Sequence, residues 1–303
     1  MSSAELNTLL KAAARKSLPE PVVRRLRTIG SSVLPWTRIS TNNAPTISKP
    51  LIVYLARWRE GAAVFRRFIE SYKAFPDETP HDLLIVFKGF PTRGSKEEYY
   101  WILDDVTFIE LKKSDVGFDI GSFRKACEHF SYSHYLFLGS FCRILCENYL
   151  TKLLSCLNTA GRAGLVGSSG SWEQGLCKAF PNHHIRTSAF LMSRSVLTKV
   201  RWPVLITKYD AYEFENGSKG LSRQIVGLGL NLYVVRADGR WCAKEEWPYS
   251  CVFRSGQQEQ LMVADKQTDF YASSDDRMRD SLRKLSWRPQ ERLEATSVEG
   301  TGW

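Results

Sequence analysis

The chain has 303 residues, 43% of them hydrophobic and 12% aromatic, enough for one large domain or two small ones around a substantial core, which excludes a disordered chain. Its net charge of +10, with a pI near 9.3, favours polyanionic neighbours: nucleic acid, an anionic membrane face or phosphorylated substrates. No apolar run approaches the roughly 20 residues of a spanning helix, and residues 1–7 lack the basic-then-apolar layout of a signal peptide. The seven cysteines form no CxxC pair and no zinc-like spacing, and they read as reduced thiols of a cytoplasmic protein.

Residues 1–49 differ from the rest, with eight Lys/Arg against two Glu, a net +6 of the chain's +10. Leu6, Leu9, Leu10 and Ala13, then Val22, Val23, Leu26 and Ile29 beyond Pro19 and Pro21, give two short helical patterns with basic faces. One reading is an anchor on an anionic membrane surface, peripheral at its inner face, where each basic residue contributes about 1 kcal/mol. The other is a helical extension packed on the body with a solvated basic face. Pro35, Asn42, Asn43, Pro45 and Pro50 mark a linker.

From residue 51 apolar, β-rich runs alternate with helical patterns. Residues 51–55, 82–87 and 106–111 read as strands, and Val64, Phe65, Phe68, Ile69 and Tyr72 read as one helix face. That alternation predicts a parallel α/β sheet, whose ligands bind beyond the carboxyl ends of the strands. It directs attention to Ala56, Arg57 and Glu60, to Lys88 and Gly89, and to residues 115–121. A further strand at 132–138 ends at Gly139 and Ser140, and a helix is expected through Leu145, Leu150, Leu153, Leu154 and Leu157. Residues 163–171 read as a buried strand running into small residues that let a ligand approach the backbone, or into a plain turn.

His183, His184 and Arg186 then stand in a turn ahead of an apolar strand. Adjacent histidines on extended chain point different ways, which argues against zinc. His184 and Arg186 suit a phosphate or leaving-group clamp, Arg giving paired donors and His a proton, against the plainer reading of a buried, satisfied His. Residues 208–240 carry three carboxylates, Asp210, Glu213 and Glu215, in what reads as an acidic loop. A helix with Arg223, a break at Gly227 and Gly229 and a strand at 232–235 follow. Such a loop is a home for a general base, or a set of solvated carboxylates. Trp241, Trp247, Tyr249, Phe253 and Arg254 suit sugar stacking or ordinary core packing, and a charged helix is expected near 277–285. The domain reading is a basic extension at 1–49, a catalytic domain at 50–285 and a polar tail at 286–303.

Over roughly residues 50–240 the order of these parts resembles a glycosyltransferase of the GT-A type. The donor-facing loop after the first strand is followed by Asp115-x-Gly117-x-Asp119-x-Gly121, then by a strand ending where those enzymes carry a short acidic metal motif. An acid-rich stretch, a helix with Arg and a Gly-then-strand unit complete the series. It is similar to family-2 enzymes, especially the rhamnan-synthesis type of bacterial surface-polysaccharide proteins, which carry a similar Gly-Phe-Asp-x-Gly stretch. The resemblance implies a GT-A-like (Rossmann-like) α/β fold, a mostly parallel sheet flanked by helices. It also implies transfer of a sugar from a nucleotide-sugar donor to a glycan or lipid-linked acceptor in bacterial surface polysaccharide assembly. Glu215 is then the first choice of base, lying eight residues before Arg223, near the family's spacing, with Glu213 and Asp210 after it. Donor contacts would come from Ala56, Arg57, Lys88, Asp115, Asp119, Gly139 and Ser140, and phosphate contacts from His184, Arg186 and Arg223.

One departure matters. Where the family places Asp-x-Asp, this chain has Gly139, Ser140, Phe141 and Cys142. The implied Mg2+ or Mn2+ needs oxygen ligands. Either Asp119 supplies one, or Lys/Arg neutralises the diphosphate without metal, or the chain is a catalytically inactive relative that binds a sugar nucleotide or glycan. Nucleic acid is not expected as a partner, because no recognition helix, RNA-binding motif or zinc module is present and over half of the excess charge lies in residues 1–49.

Overall fold

The computed structural model describes residues 36–39 and 45–289. The helical patterns and membrane anchor expected within residues 1–49, and the tail from 290 on, lie outside the described residues.

The central sheet has eight strands: β1 (Leu51–Arg57), β2 (Asp82–Lys88), β3 (Ile109–Lys113), β4 (His134–Leu138), β5 (Ala163–Gly167), β6 (Ala189–Ser193), β7 (Asn231–Val235) and β8 (Trp241–Cys242). Their spatial order is β8-β7-β5-β6-β4-β1-β2-β3. β1 pairs in parallel with β2 and β4, β2 with β3, and β5 with β7. β6 runs antiparallel between β4 and β5, and β8 antiparallel on the edge. The chain thus forms the expected α/β architecture with a mostly parallel sheet.

Helices cover both faces, so the inner strands are apolar on both sides rather than alternating with polar residues. The period of two sorts them. Leu51, Val53 and Leu55 of β1, with Tyr135 and Phe137 of β4, face a core completed by Ile120 and Phe123 of α3 (Phe118–His129), Phe214 of α5 (Lys208–Asn216) and Ile225 of α6 (Leu221–Gly227). Ile52, Tyr54 and Ala56 face the other core, with Phe65 and Phe68 of α1 (Ala62–Ala74), Tyr99 of α2 (Glu97–Ile102) and Leu150 and Leu153 of α4 (Tyr149–Thr159). The last two helices among the described residues are α7 (Lys266–Ser273) and α8 (Asp276–Trp287).

Three local expectations change. The acidic loop expected over 208–215 is the helix α5, started by a capping box between Thr207 and Asp210. The helix expected from Leu145 begins at Tyr149, because Arg143 and Ile144 are drawn into a short ribbon with Val263 and Ala264. The boundary expected after residue 285 falls inside α8, whose Ser286 and Trp287 are buried.

Candidate active site

Because β1 to β4 are parallel, Arg57, Lys88, Lys113 and Leu138 end on one edge of the sheet. β6 runs the other way and its first residue, Ala189, pairs with Leu138, so the loop entering β6 meets the loop leaving β4. The Gly139 amide donates to Ser188 O at 2.8 Å and closes that junction. Two adjoining cavities open beside it. The smaller, about 210 Å³, is lined by Asp119, Gly139, Ser140, Thr187, Lys266 and others. The larger, about 450 Å³, includes Glu173, His184, Tyr212, Asn216, Phe253 and Arg254. Arg186, Glu215 and Gln267 belong to both.

The three carboxylates of α5 have three different fates, because a helix turns about 100° per residue and places Glu215 some 140° around from Asp210 and 160° from Glu213. Asp210 is buried, and its Oδ2 accepts from the Ile206 and Thr207 amides at 2.9 and 2.7 Å. Glu213 Oε1 accepts from the Lys219 amide at 3.1 Å and from Ser218 Oγ at 3.2 Å, closing the turn after the helix. Neither lines either of these two cavities. Glu215 Oε1 accepts from the Thr187 amide at 3.1 Å and stands where the two cavities meet.

On the donor side, Asp115 receives Arg57 Nε at 2.9 Å and Arg59 Nη2 at 2.7 Å. Gly89 has φ +76, and a Cβ there would lie 3.0 Å from Asp115 Cβ, so only glycine lets the two loops approach this closely. Two of the expected donor contacts lie below the surface. Lys88 is fully buried, donates to Phe118 O at 2.6 Å and supports the loop from beneath, its pKa pulled to about 8 by burial. Ala56 is buried in the core against α1. Asp119, by contrast, lines the smaller cavity. Burial pushes its carboxyl upward, Lys88 and Arg57 pull it down, and Glu215 and Asp115 add to the rise. Glu60 joins this group: burial raises its carboxyl while Ser140 and Arg57 oppose the shift.

Around the larger cavity, Arg186 Nη1 is ion-paired with Asp265 Oδ2 at 2.7 Å and its guanidinium lies 4.0 Å from the Phe253 ring centre. Asp265 also caps α7 through the Gln267 and Thr268 amides. Buried His184 commits Nδ1 to Asn182 O at 2.8 Å, and burial lowers its pKa to about 4. The ring is uncharged at neutral pH and its Nδ1–H donates to that carbonyl. Arg223 is exposed, bonds Cys177 Sγ and Asn182 Oδ1, and lines neither cavity. Of the small residues at 163–171, Gly170 serves packing, since a Cβ there would lie 2.6 Å from the Trp247 ring, while Ser169 Oγ accepts from Arg186 Nη1 at 3.3 Å and Ser171 lines the larger cavity.

Several lining residues, Glu173, Thr187, Lys266 and Gln267 among them, escaped the sequence reading, which named Arg254 only within a stretch suited to sugar stacking or core packing. Buried Arg254 reaches Ser286 Oγ at 3.0 Å and Gln267 Oε1 at 2.9 Å, and its Nε has no hydrogen-bond partner. Burial, then Arg186, lowers its pKa to about 10. Its aromatic neighbours in the sequence suited stacking and core packing alike, whereas Asp265 and Thr268 carry a legible capping signal that would have placed Lys266 and Gln267 at a helix start.

Of the carboxylates lining the smaller cavity, Asp265 is paired with Arg186, which leaves Asp119 and Glu215 as the protein oxygens that could meet a hard divalent cation beside a diphosphate. Gly139 to Cys142 offer no carboxylate, Asp115 is held by two arginines, and among the described residues no three His, Cys, Asp or Glu side chains converge.

No family model matches the chain, and no curated protein matches it. Solved structures with partial likeness include a mannosyltransferase from Pyrobaculum calidifontis in complex with GDP-Man and Mn2+, at 9% identity and TM-score 0.47, covering 82% of this chain and 70% of that one. Another is the WbbM bifunctional glycosyltransferase, at 12% identity and TM-score 0.37, covering 54% of this chain and 36% of that one. A third is a cytidylyltransferase from Leptospira borgpetersenii, at 14% identity and TM-score 0.37, covering 55% of this chain and 71% of that one. Among the described residues no helix is long and apolar enough to cross a membrane.

Proposed function

We propose that the protein is a sugar-nucleotide-dependent glycosyltransferase in which Glu215 is the general base. The observation that carries this reading is the position of Glu215 at the junction of two cavities, one over the carboxyl ends of the strands and one bounded by α5, Phe253 and Arg254. The donor takes the first cavity, with Asp119, Gly139 and Ser140 around it and Arg57 and Asp115 behind. A glycan or lipid-linked acceptor, of the kind used in bacterial surface polysaccharide assembly, takes the second. The acceptor hydroxyl attacks the anomeric carbon as its proton passes to Glu215, and the bond to the nucleoside diphosphate breaks. Arg186 and Lys266 face the departing charge.

The test is Glu215→Gln assayed against a panel of nucleotide sugars, with and without EDTA. Turnover should fall by about a thousandfold while donor binding, read by thermal shift, is retained. Near-normal turnover by the variant overturns the assignment. A second reading, an inactive relative that holds a sugar nucleotide or glycan, draws on the absence of any carboxylate at 139–142. It is favoured if the native protein binds a donor and transfers none.

A further inference from the structure

A third cavity, of about 370 Å³, lies where the segments leaving β2 and β3 meet α3, and it shares no lining residue with the two cavities of the cleft. Its walls carry five cations, Arg93, Lys96, Lys112, Lys113 and Lys125, and no carboxylate, over a floor of Phe87 and Phe90. Glu110, in contact with two of these cations, is already engaged. Its Oε1 lies 2.5 Å from Lys96 Nζ and 3.7 Å from Lys112 Nζ, while Oε2 accepts from Tyr100 OH at 2.7 Å. Lys113 Nζ donates to Val116 O and Lys125 Nζ to Lys112 O, carbonyls that orient the ammonium groups without cancelling their charge. Arg93 has no ion pair among the described residues. Asp115, close enough to act on Lys113, is itself held by Arg57 and Arg59. Burial, then the field of Lys125, depresses the Lys113 pKa, as expected of like charges crowded together.

Like charges held in a concavity repel one another, and the cost is recovered only when an anion enters; such a hollow also concentrates anions from solution. Its volume lies at the lower end of the range, about 300 to 1,000 Å³, of small-ligand sites. Lysine ammonium and arginine guanidinium groups together match phosphate oxygens. We propose that this cavity binds a phosphate-bearing ligand at a site separate from the cleft. The phosphate belongs either to a lipid headgroup or to a soluble molecule.

The experiment compares the full chain with Arg93→Glu/Lys112→Glu, two exposed positions whose reversal leaves the core untouched, with thermal melting to verify the fold. Lys199→Glu/Arg277→Glu, exposed and remote from the cavity, makes the same change in net charge and serves as control. Inorganic pyrophosphate binding is read by calorimetry, and vesicle binding by flotation with phosphatidylglycerol against phosphatidylcholine. The cavity variant should lose about tenfold or more in affinity for one of these anionic probes, with the control close to native. Loss toward pyrophosphate alone identifies a soluble phosphate, and loss toward phosphatidylglycerol alone identifies a headgroup. Equal losses in the two variants, or no binding of either probe to the native chain, overturn the proposal. Because neither variant touches Glu215, failure here leaves the glycosyltransferase reading as it stands.

Discussion

The cleft and the basic cavity both lie beyond the carboxyl ends of strands in one sheet, yet they handle charge in opposite ways. In the cleft, Arg57 faces Asp115 and Glu60, and Arg186 is paired with Asp265. In the cavity, Arg93, Lys112, Lys113 and Lys125 share at most part of one carboxylate. Paired ions hold side chains in fixed positions and leave little net field, which suits a site that must orient a reacting pair. Unpaired cations position little and attract strongly, which suits capture of an anion. Proximity to strand ends therefore does not define what a site does; the local balance of charge does.

The comparison breaks most sharply at α5. Glu215→Gln should cost about a thousandfold in turnover, and Glu213→Gln, one face away, should stay within about threefold of native. If Glu213→Gln proves the worse of the two in steady-state kinetics, the cleft has been drawn around the wrong carboxylate. Next comes the Arg186–Asp265 pair. Asp265→Ala leaves a buried guanidinium without its partner and removes the cap of α7, so urea denaturation should show a loss of roughly 3 kcal/mol.

His184 makes a comparable prediction with pH as the variable. Its folded pKa of about 4 lies below the ordinary 6.5, so between those values the unfolded chain binds a proton that the fold refuses. Stability should then fall as pH drops from about 6.5 toward 4, by up to roughly 3 kcal/mol from this group. His184→Gln should flatten that part of the curve in urea titrations taken at several pH values; an unchanged slope would show that the ring titrates normally. The smallest effect is expected at Asp210, where Asp210→Ala loses a capping box worth about 1 to 2 kcal/mol and should leave turnover of the folded protein near native. A large kinetic defect there would place the cap closer to the chemistry than its hydrogen bonds do.

Much of this was legible beforehand, and the limits are instructive. The strands at 51–55, 82–87 and 132–138 could be found because a sheet covered on both faces demands unbroken apolar runs. Glu215 was singled out by its spacing to Arg223, yet Arg223 itself lines neither cavity and bonds Asn182 Oδ1. Lys88 looked like a ligand contact because it ends a strand, and it is instead enclosed beneath the loop it supports. Arg254 could be named only as a stacking or packing candidate, since its place in the cavity wall depends on Phe253, Gln267 and Ser286 meeting around it.

The sequence by itself determined the strands of the parallel half and most of the helices in their order, though not α5, because period and apolar runs are local properties read within a turn or a strand. It also settled that the strand at 134–138 would end in Gly139 and Ser140 with no acidic pair. Only the tertiary structure decided that β6 runs backward between β4 and β5, bringing Thr187 and Glu215 to that strand end. It alone separated Glu215 from Asp210 and Glu213, and it alone gathered Arg93, Lys112 and Lys125 from three segments into one cavity. The reason is physical: side-chain neighbours across a sheet edge are set by how whole elements pack, and no residue's own surroundings in the chain encode that distance.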